Sequence, residues 1–469
     1  MTYRASHHSR HYPLELPPVD IREFGHMAVE LAADLVTRYP EAPASEFDTA
    51  ESLVKEMALP PGEEPGSLPS LLAAFREAVG HGVDTAGPGY LAYIPAGGLA
   101  SSAVADMLSQ IANRFTGVAQ LAPALVAMER GVLTWLCGLF GLPKGAGGLV
   151  TTGGSLATLS AVVTARHHRL GFDLAGARLY VTEQTHYCVA KAAAVAGLPP
   201  ESVRTVPTTP ALGMDVEAAA HMIADDRAAG LRPFLLVGTA GTTNTGAVDP
   251  LADLAELTRA EDLWFHVDAA YGGGFQLTRY GKARFAGIHN ADSIALDPHK
   301  SLFLPYGTGV LLVRDPALLG AAHAGDGVYL QDLDAVYGLP DYAQLGPELT
   351  RDARGMRLWL PLHLHGVKAF REALEEKLAL TGDVYLGLAA DSRFEVPWAP
   401  DLTVVAFRLR DRDDEANEEL LRRINASKRV FLSSTTINGR FYLRVCVLSH
   451  RTHADRIGEL LEIIGACAD

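Results

Sequence analysis

From about residue 145 onward, short apolar runs alternate with segments of helix length, and no other feature of the sequence restricts the fold as much. The runs are 179–181, 203–206, 234–237, 264–267 and 293–296. Between them, 156–168, 216–229 and 251–261 are long enough for crossover helices. A strand that returns through a helix lies parallel to the one before it, with a right-handed connection, so helices cover both faces. The sequence therefore predicts an α/β domain with a mostly parallel sheet, and ligands of such sheets bind outside the carboxyl ends of the strands.

Before this block, apolar residues recur at helical spacing over 21–38 (Met27, Leu31, Leu35), and a Pro/Gly/Glu-rich stretch at 59–69 separates them from a second helix at 71–79. After Gly355 a helix-rich connector leads to strands near 404–409, 430–433 and 441–447 and a last helix near 454–464. The expected division is an N-terminal helical extension (1–85), a large domain (86–355) and a small C-terminal α+β domain (356–469). At 469 residues and 48% hydrophobic content, the chain can fill one large core and a smaller one. A net charge of -15 with no long basic run argues against nucleic acid as a partner. The four cysteines (137, 188, 446, 467) form no CxxC pair, which fits a reducing, cytoplasmic setting. No run of about 18 apolar residues occurs, so no membrane association is expected. His7, His8 and His11 read as a solvated arm, and no metal site is expected.

Two strand ends carry the sharpest chemistry. His266-Val267-Asp268-Ala269-Ala270 ends one apolar run, and Asp297-Pro298-His299-Lys300 ends the next. Taken singly, a lysine after a strand is usually a surface residue and an aspartate there a cap or turn former. Jointly they supply an amine and a carboxylate at neighbouring strand ends, as pyridoxal 5'-phosphate (PLP) requires. The lysine forms a Schiff base with the aldehyde, and the aspartate keeps the pyridine nitrogen protonated so the ring can accept electrons. Burial is expected to lower the Lys300 pKa. Thr152-Gly153-Gly154-Ser155 opens a helix and can approach a phosphate, with Ser155 adding a hydroxyl. His186 follows the run 179–181, where it could stack on the ring, and Thr243 in Gly241-Thr242-Thr243-Asn244-Thr245-Gly246 sits at another strand end. His299 could donate to the phosphate.

Together with Leu91-Ala92-Tyr93-Ile94-Pro95, Ala122-Pro123 and Glu129, these elements resemble the group II PLP-dependent amino acid decarboxylases. The similarity extends from about residue 21 to the C-terminal helix. It implies the type I (aspartate aminotransferase-like) PLP-dependent transferase fold, and it implies Lys300 as the Schiff-base lysine, Asp268 as partner of the pyridinium nitrogen and His186 as the stacking imidazole. Gly154, Ser155 and His299 become phosphate contacts, with Thr243 and Ala270 packed around the ring. Family members commonly have Asn where this chain has Asp297, which puts a phosphate contact there in doubt. Tyr329, in a Gly/Asp-rich stretch (324–339) that reads as a mobile loop, corresponds to the family's loop tyrosine, which protonates Cα after CO2 leaves. The resemblance also implies a homodimer with N-terminal helices around the partner, and Thr350 offered to the neighbour's phosphate.

The reading is decarboxylation of an L-amino acid to its amine. Alternatives on the same site are a decarboxylating aldehyde synthase, in which O2 intercepts the carbanionic state, and an aminotransferase; a fold without catalysis is disfavoured because both essential polar partners are present. Tyr90, Tyr93, Ile94 and Pro95 are candidates for an apolar side-chain pocket, favouring an aromatic substrate. Ala96 stands where aromatic-specific relatives often carry a polar residue. Arg444 is expected to fix the two domains together rather than to meet a carboxylate.

Overall fold

The computed structural model describes residues 14–95, 97–325 and 335–469. The N-terminal part holds the helices Pro18–Arg38, Glu51–Met57 and Leu68–Val79 and a small antiparallel ribbon of β1 (Ser45–Glu46) and β2 (Gly82–Val83). The second of these was not foreseen from the sequence. Leu68–Val79 starts where Ser67 caps the Ser70 amide, with proline in the first turn, where its missing N–H costs nothing.

The large sheet has seven strands: β3 (Gly147–Thr151), β4 (Ala177–Thr182), β5 (Val203–Val206), β6 (Arg232–Thr239), β7 (Trp264–Ala269), β8 (Ser293–Leu296) and β9 (Gly309–Val313). Their order is β3-β9-β8-β7-β6-β4-β5. All pairs from β8 across to β5 are parallel, whereas β9 runs antiparallel between β8 and β3. β7, β8 and β9 are buried along their whole length, as strands covered on both faces must be. The helix Gly154–Leu170 crosses the sheet closely because Ala157, Ala161 and Ala165, four residues apart, are fully buried and small. The crossover helices Val216–Ala228 and Leu251–Ala260 match the expected segments.

After Met356–Ala390, a helical run broken at Gly366, comes an antiparallel sheet of β10 (Phe394–Glu395), β11 (Val404–Leu409), β12 (Ser433–Ile437) and β13 (Arg440–Cys446), in the order β10-β11-β13-β12. It packs with the helices Asp414–Ala426 and Ala454–Cys467 around a second core. β12 begins where the expected strand 430–433 ends. Val430 and Leu432 point into that core, Phe431 bridges to Tyr90 instead, and pairing with β13 starts at Ser433 opposite Arg444. The segment after Tyr90 thus borders the small sheet, with Leu91 fully buried in its core.

Candidate active site

Five strand ends of the large sheet converge on one cavity of about 300 Å3, at the lower end for small-molecule sites. β3 delivers the loop Thr152 to Ser155, β4 delivers His186 and Cys188, and β6 delivers Gly241 and Thr243. β7 contributes Asp268, Ala270 and Tyr271, and β8 contributes Asp297, His299 and Lys300. The cavity lies where the topology of an α/β sheet places ligands.

The lysine is carried on a single short helix, Pro298–Ser301, with proline at its first position. Its Nζ lies 3.1 Å from Asp297 Oδ2. Burial pushes the Lys300 pKa down, but Asp297 and Asp268 outweigh it and the net displacement is upward. This corrects the expectation of a lowered value: two carboxylates at the amine were not counted when burial alone was considered. Asp268 Oδ1 accepts from the Ala270 amide at 3.0 Å, which leaves the other oxygen for a donor on a ligand. Asp297 is 3% exposed, and its Oδ1 has no hydrogen-bond partner.

His186 Nδ1 accepts from the Cys188 amide at 3.2 Å, so the neutral ring carries its proton on Nε2. Burial holds its pKa below the usual value, with Asp268 opposing. His299 donates from Nδ1 to the Thr308 carbonyl at 2.7 Å, which turns Nε2 toward Asp297 Oδ2 at 3.7 Å. The amides of Gly154 and Ser155 lie in the first turn of Gly154–Leu170 and have no intrahelical acceptor, a ready anion site when the helix dipole is added. A Cβ at Gly154 would meet Asp297 Oδ2 at 2.9 Å, and one at Gly241, whose φ is +104°, would meet Leu402 and Tyr271 within 3 Å. The first keeps the cavity open, and the second lets the wall pack against Leu402 and Tyr271.

Two constructions hold these strand ends in place. β3 is the edge strand, and side chains complete its outer face: Glu129 Oε1 accepts from the Val150 amide at 3.1 Å, and Arg351 Nη2 donates to the Val150 carbonyl at 2.7 Å. The two side chains pair at 2.9 Å, with the guanidinium 4.6 Å from the centre of the Tyr342 ring. On the other side, the Tyr271 hydroxyl binds Thr403 Oγ1 at 2.6 Å and accepts from the Thr403 amide at 2.8 Å, joining the cavity wall to the small domain. Arg444 donates to the carbonyls of Asn244 (2.6 Å), Tyr93 (3.2 Å) and Thr243, and to Ser433 Oγ at 2.8 Å. It is the expected inter-domain tie.

The structure thus gathers Gly154, Ser155, His186, Thr243, Asp268, Ala270, His299 and Lys300 around one cavity. Tyr90, Tyr93, Ile94, Pro95 and Thr350 do not line it in the single chain. Tyr90 is buried with its hydroxyl on Tyr306, whose ring lies 5.8 Å from His299, whereas Tyr93 is 58% exposed. Tyr329 and Ala96 lie outside the described residues. Sequence reasoning missed Cys188 and Tyr271 in the lining, although each stands within two residues of a candidate it named. Among the described residues no group of three or more His, Cys, Asp or Glu could hold a metal.

A mixed α/β sheet with one lysine and two carboxylates at its carboxyl edge, beside a glycine-opened helix, defines a protein built for a phosphorylated aldehyde cofactor. The chain matches the pyridoxal-dependent decarboxylase conserved domain over residues 52–410 and belongs to that family. It is 33% identical over 470 residues to the aromatic-L-amino-acid decarboxylase of Bacillus atrophaeus, covering 97% of each chain. To the phenylacetaldehyde synthase of Arabidopsis thaliana it is 29% identical, covering 96% of each. The crystal structure of Oryza sativa TDC with PLP and tryptamine superposes with a TM-score of 0.93 at 27% identity, covering 98% of this chain and 99% of that one. The protein is a PLP-dependent amino acid decarboxylase. No helix among the described residues is long and apolar enough to cross a membrane.

Proposed function

We propose that this chain decarboxylates an aromatic L-amino acid to its amine, and that Lys300, Asp268 and His186 are the residues that work on the cofactor. The observation that carries this reading is the placement of Lys300 and Asp268 on one cavity with the free amides of Gly154 and Ser155. That donor set fits PLP: an amine for the aldehyde carbon, a carboxylate for the ring nitrogen, and amides with the Ser155 hydroxyl for the phosphate. When bound, PLP supplies an electron sink for the pair left behind as a bond to the substrate Cα breaks.

The chain's own groups divide the remaining tasks. Lys300 would hold PLP through its aldehyde carbon. Asp268, with one oxygen fixed by the Ala270 amide, keeps a proton on the ring nitrogen. His186, neutral and protonated on Nε2, offers a ring face and a donor, and Thr243 and Ala270 close the wall. The substrate loses CO2 from Cα and gains one proton there, and Tyr329 is the proposed donor of that proton. His299 is proposed as a contact for the cofactor phosphate, and Thr350 is proposed to serve the partner's site.

A homodimer is part of this proposal. Val19, Ile21, Phe24, Phe75, Met107, Leu108 and Ile111 are all more than 40% exposed on the N-terminal helices and on Ala100–Ala112, apolar side chains that a partner subunit would cover. Tyr93 belongs to the same question: its side chain faces solvent while its carbonyl is tied through Arg444 to the cavity rim. We place the substrate's aromatic ring along Tyr90 to Pro95, within the assembled dimer. A cytoplasmic location is consistent with four unpaired cysteines.

A relative named as an aldehyde synthase supports keeping oxidative deamination as the second reading. One assay separates them: purified protein is incubated with a panel of amino acids, and amine, aldehyde and hydrogen peroxide are quantified by mass spectrometry and a peroxide stain. Amine from an aromatic substrate without peroxide is the expected outcome. Tyr329→Phe should lower amine formation by about 10²- to 10⁴-fold and raise aldehyde and peroxide. Unchanged amine turnover removes that tyrosine from the mechanism.

A further inference from the structure

Asp297 has no task in the scheme above, yet it is the charged group nearest the reactive lysine. Its Oδ2 sits 3.1 Å from Lys300 Nζ, its Oδ1 has no partner, and the side chain is 4% exposed. Nearby, His299 Nε2 at 3.7 Å is too far for a hydrogen bond, and its Nδ1 is spent on the Thr308 carbonyl. A buried carboxylate with one oxygen bare and the other on an amine is placed to receive a cation.

We propose that Asp297 is a positioning residue: it is the seat in which the Lys300 ε-ammonium rests whenever that nitrogen is not bonded to the cofactor. This rests on the reading of Lys300 as the cofactor-bonding amine. The geometry supports it in three ways. The two residues are three apart on one short helical turn, so the lysine reaches the seat without backbone movement. Gly154 leaves the space through which the carboxylate faces the cavity. The other groups around the amine are Asp268 from β7, His186 and Cys188 after β4, and His299 beside it. Of these only Asp268 is a second anion, and its role is at the ring nitrogen. The Cys188 thiol is pushed up to about 12 by burial and stays neutral, and both imidazoles are held neutral by burial.

The seat has a chemical consequence. An ammonium cannot take a proton from Cα, so a seated Lys300 cannot start the proton shuttle on which amino-group transfer depends. It also sets how much neutral amine is present to capture the aldehyde. Removing the carboxylate favours the neutral form, so capture should begin at lower pH.

The test uses full-length protein freed of cofactor. The rate at which the visible band of bound PLP appears is followed from about pH 6 to 11.5 for wild type and Asp297→Asn. The expected result is a midpoint lowered by about one unit or more in the variant, with capture near neutral pH about tenfold faster. An unchanged midpoint overturns the seat while leaving the cofactor reading intact. Should the variant fail to fold, competitive acetylation of Lys300 in the wild-type apoprotein, read by mass spectrometry, decides. A midpoint at or above the ordinary lysine value of about 10.4 supports the seat, and one below it overturns it. Wild type that shows no band and no borohydride-fixed adduct at any pH sinks the assignment of Lys300 itself.

Discussion

Two carboxylate-cation pairs lie near the loop Thr152 to Ser155, one bonded to Val150 before it and one beside Gly154 within it, and they differ in what surrounds them. Glu129 and Arg351 meet at 2.9 Å with side chains 2% and 1% exposed; Asp297 and Lys300 meet at 3.1 Å, with the lysine 21% exposed. The first pair is sealed from solvent, although Arg351 Nε and Nη1 have no hydrogen-bond partner. Its glutamate also takes the Val150 amide, its arginine the Val150 carbonyl, and the guanidinium lies over Tyr342. A guanidinium does not give up its proton in a protein. The second pair is open to the cavity, with one carboxylate oxygen bare and a cation able to lose its proton. One fastens an edge strand, and the other can change.

Substitutions on each side should separate these roles. The largest effect is expected from Lys300→Ala: loss of the visible band of bound PLP and a fall in turnover by about 10⁴- to 10⁶-fold, the scale seen when a covalent nucleophile is removed. Absorbance and CO2 release check it, and a borohydride-reducible adduct surviving in the variant would refute it. Its denaturation midpoint should move far less than that of Arg351→Ala. The latter strands the Glu129 charge in the interior and should cost about 3–5 kcal/mol in chemical denaturation, with turnover per folded molecule changed only a few-fold. A loss under about 1 kcal/mol would make the two pairs alike. The smallest effect is expected for Tyr271→Phe. It removes two hydrogen bonds to Thr403 and should cost about 1–2 kcal/mol, with the cofactor band retained; an unaltered unfolding midpoint would mean that this latch contributes nothing.

The same contrast explains what could be read in advance. Strands such as Ser293–Leu296 and Val404–Leu409 coincide with their apolar runs, because a strand buried on both faces is mostly apolar. β3 and β9 carried weaker signals: Gly147-Gly148 opens one, and the other follows Lys300 with no crossover helix to announce it. Lys300, Asp268 and the glycine loop were legible because each occupies a strand end with a chemical reason to be there. The pairing of Arg351 with Glu129 was not, since 222 residues separate them and nothing local marks a partner. The upward displacement at Lys300 was missed for another reason: its largest raising contribution comes from Asp297, three residues away in the sequence, and only the share of Asp268 arrives from another strand.

Arg444 has a bearing on how such a molecule is made. It joins the carbonyls of Tyr93, Thr243 and Asn244, and it follows all of them and Lys300 in the chain. On a ribosome, the lysine and glycine loop emerge well before the residue that pins their rim. Vitamin capture should therefore lag behind completion of the C-terminal sheet, and a nascent or clipped polypeptide would stay colourless. Colour would then report that synthesis had run through Arg444.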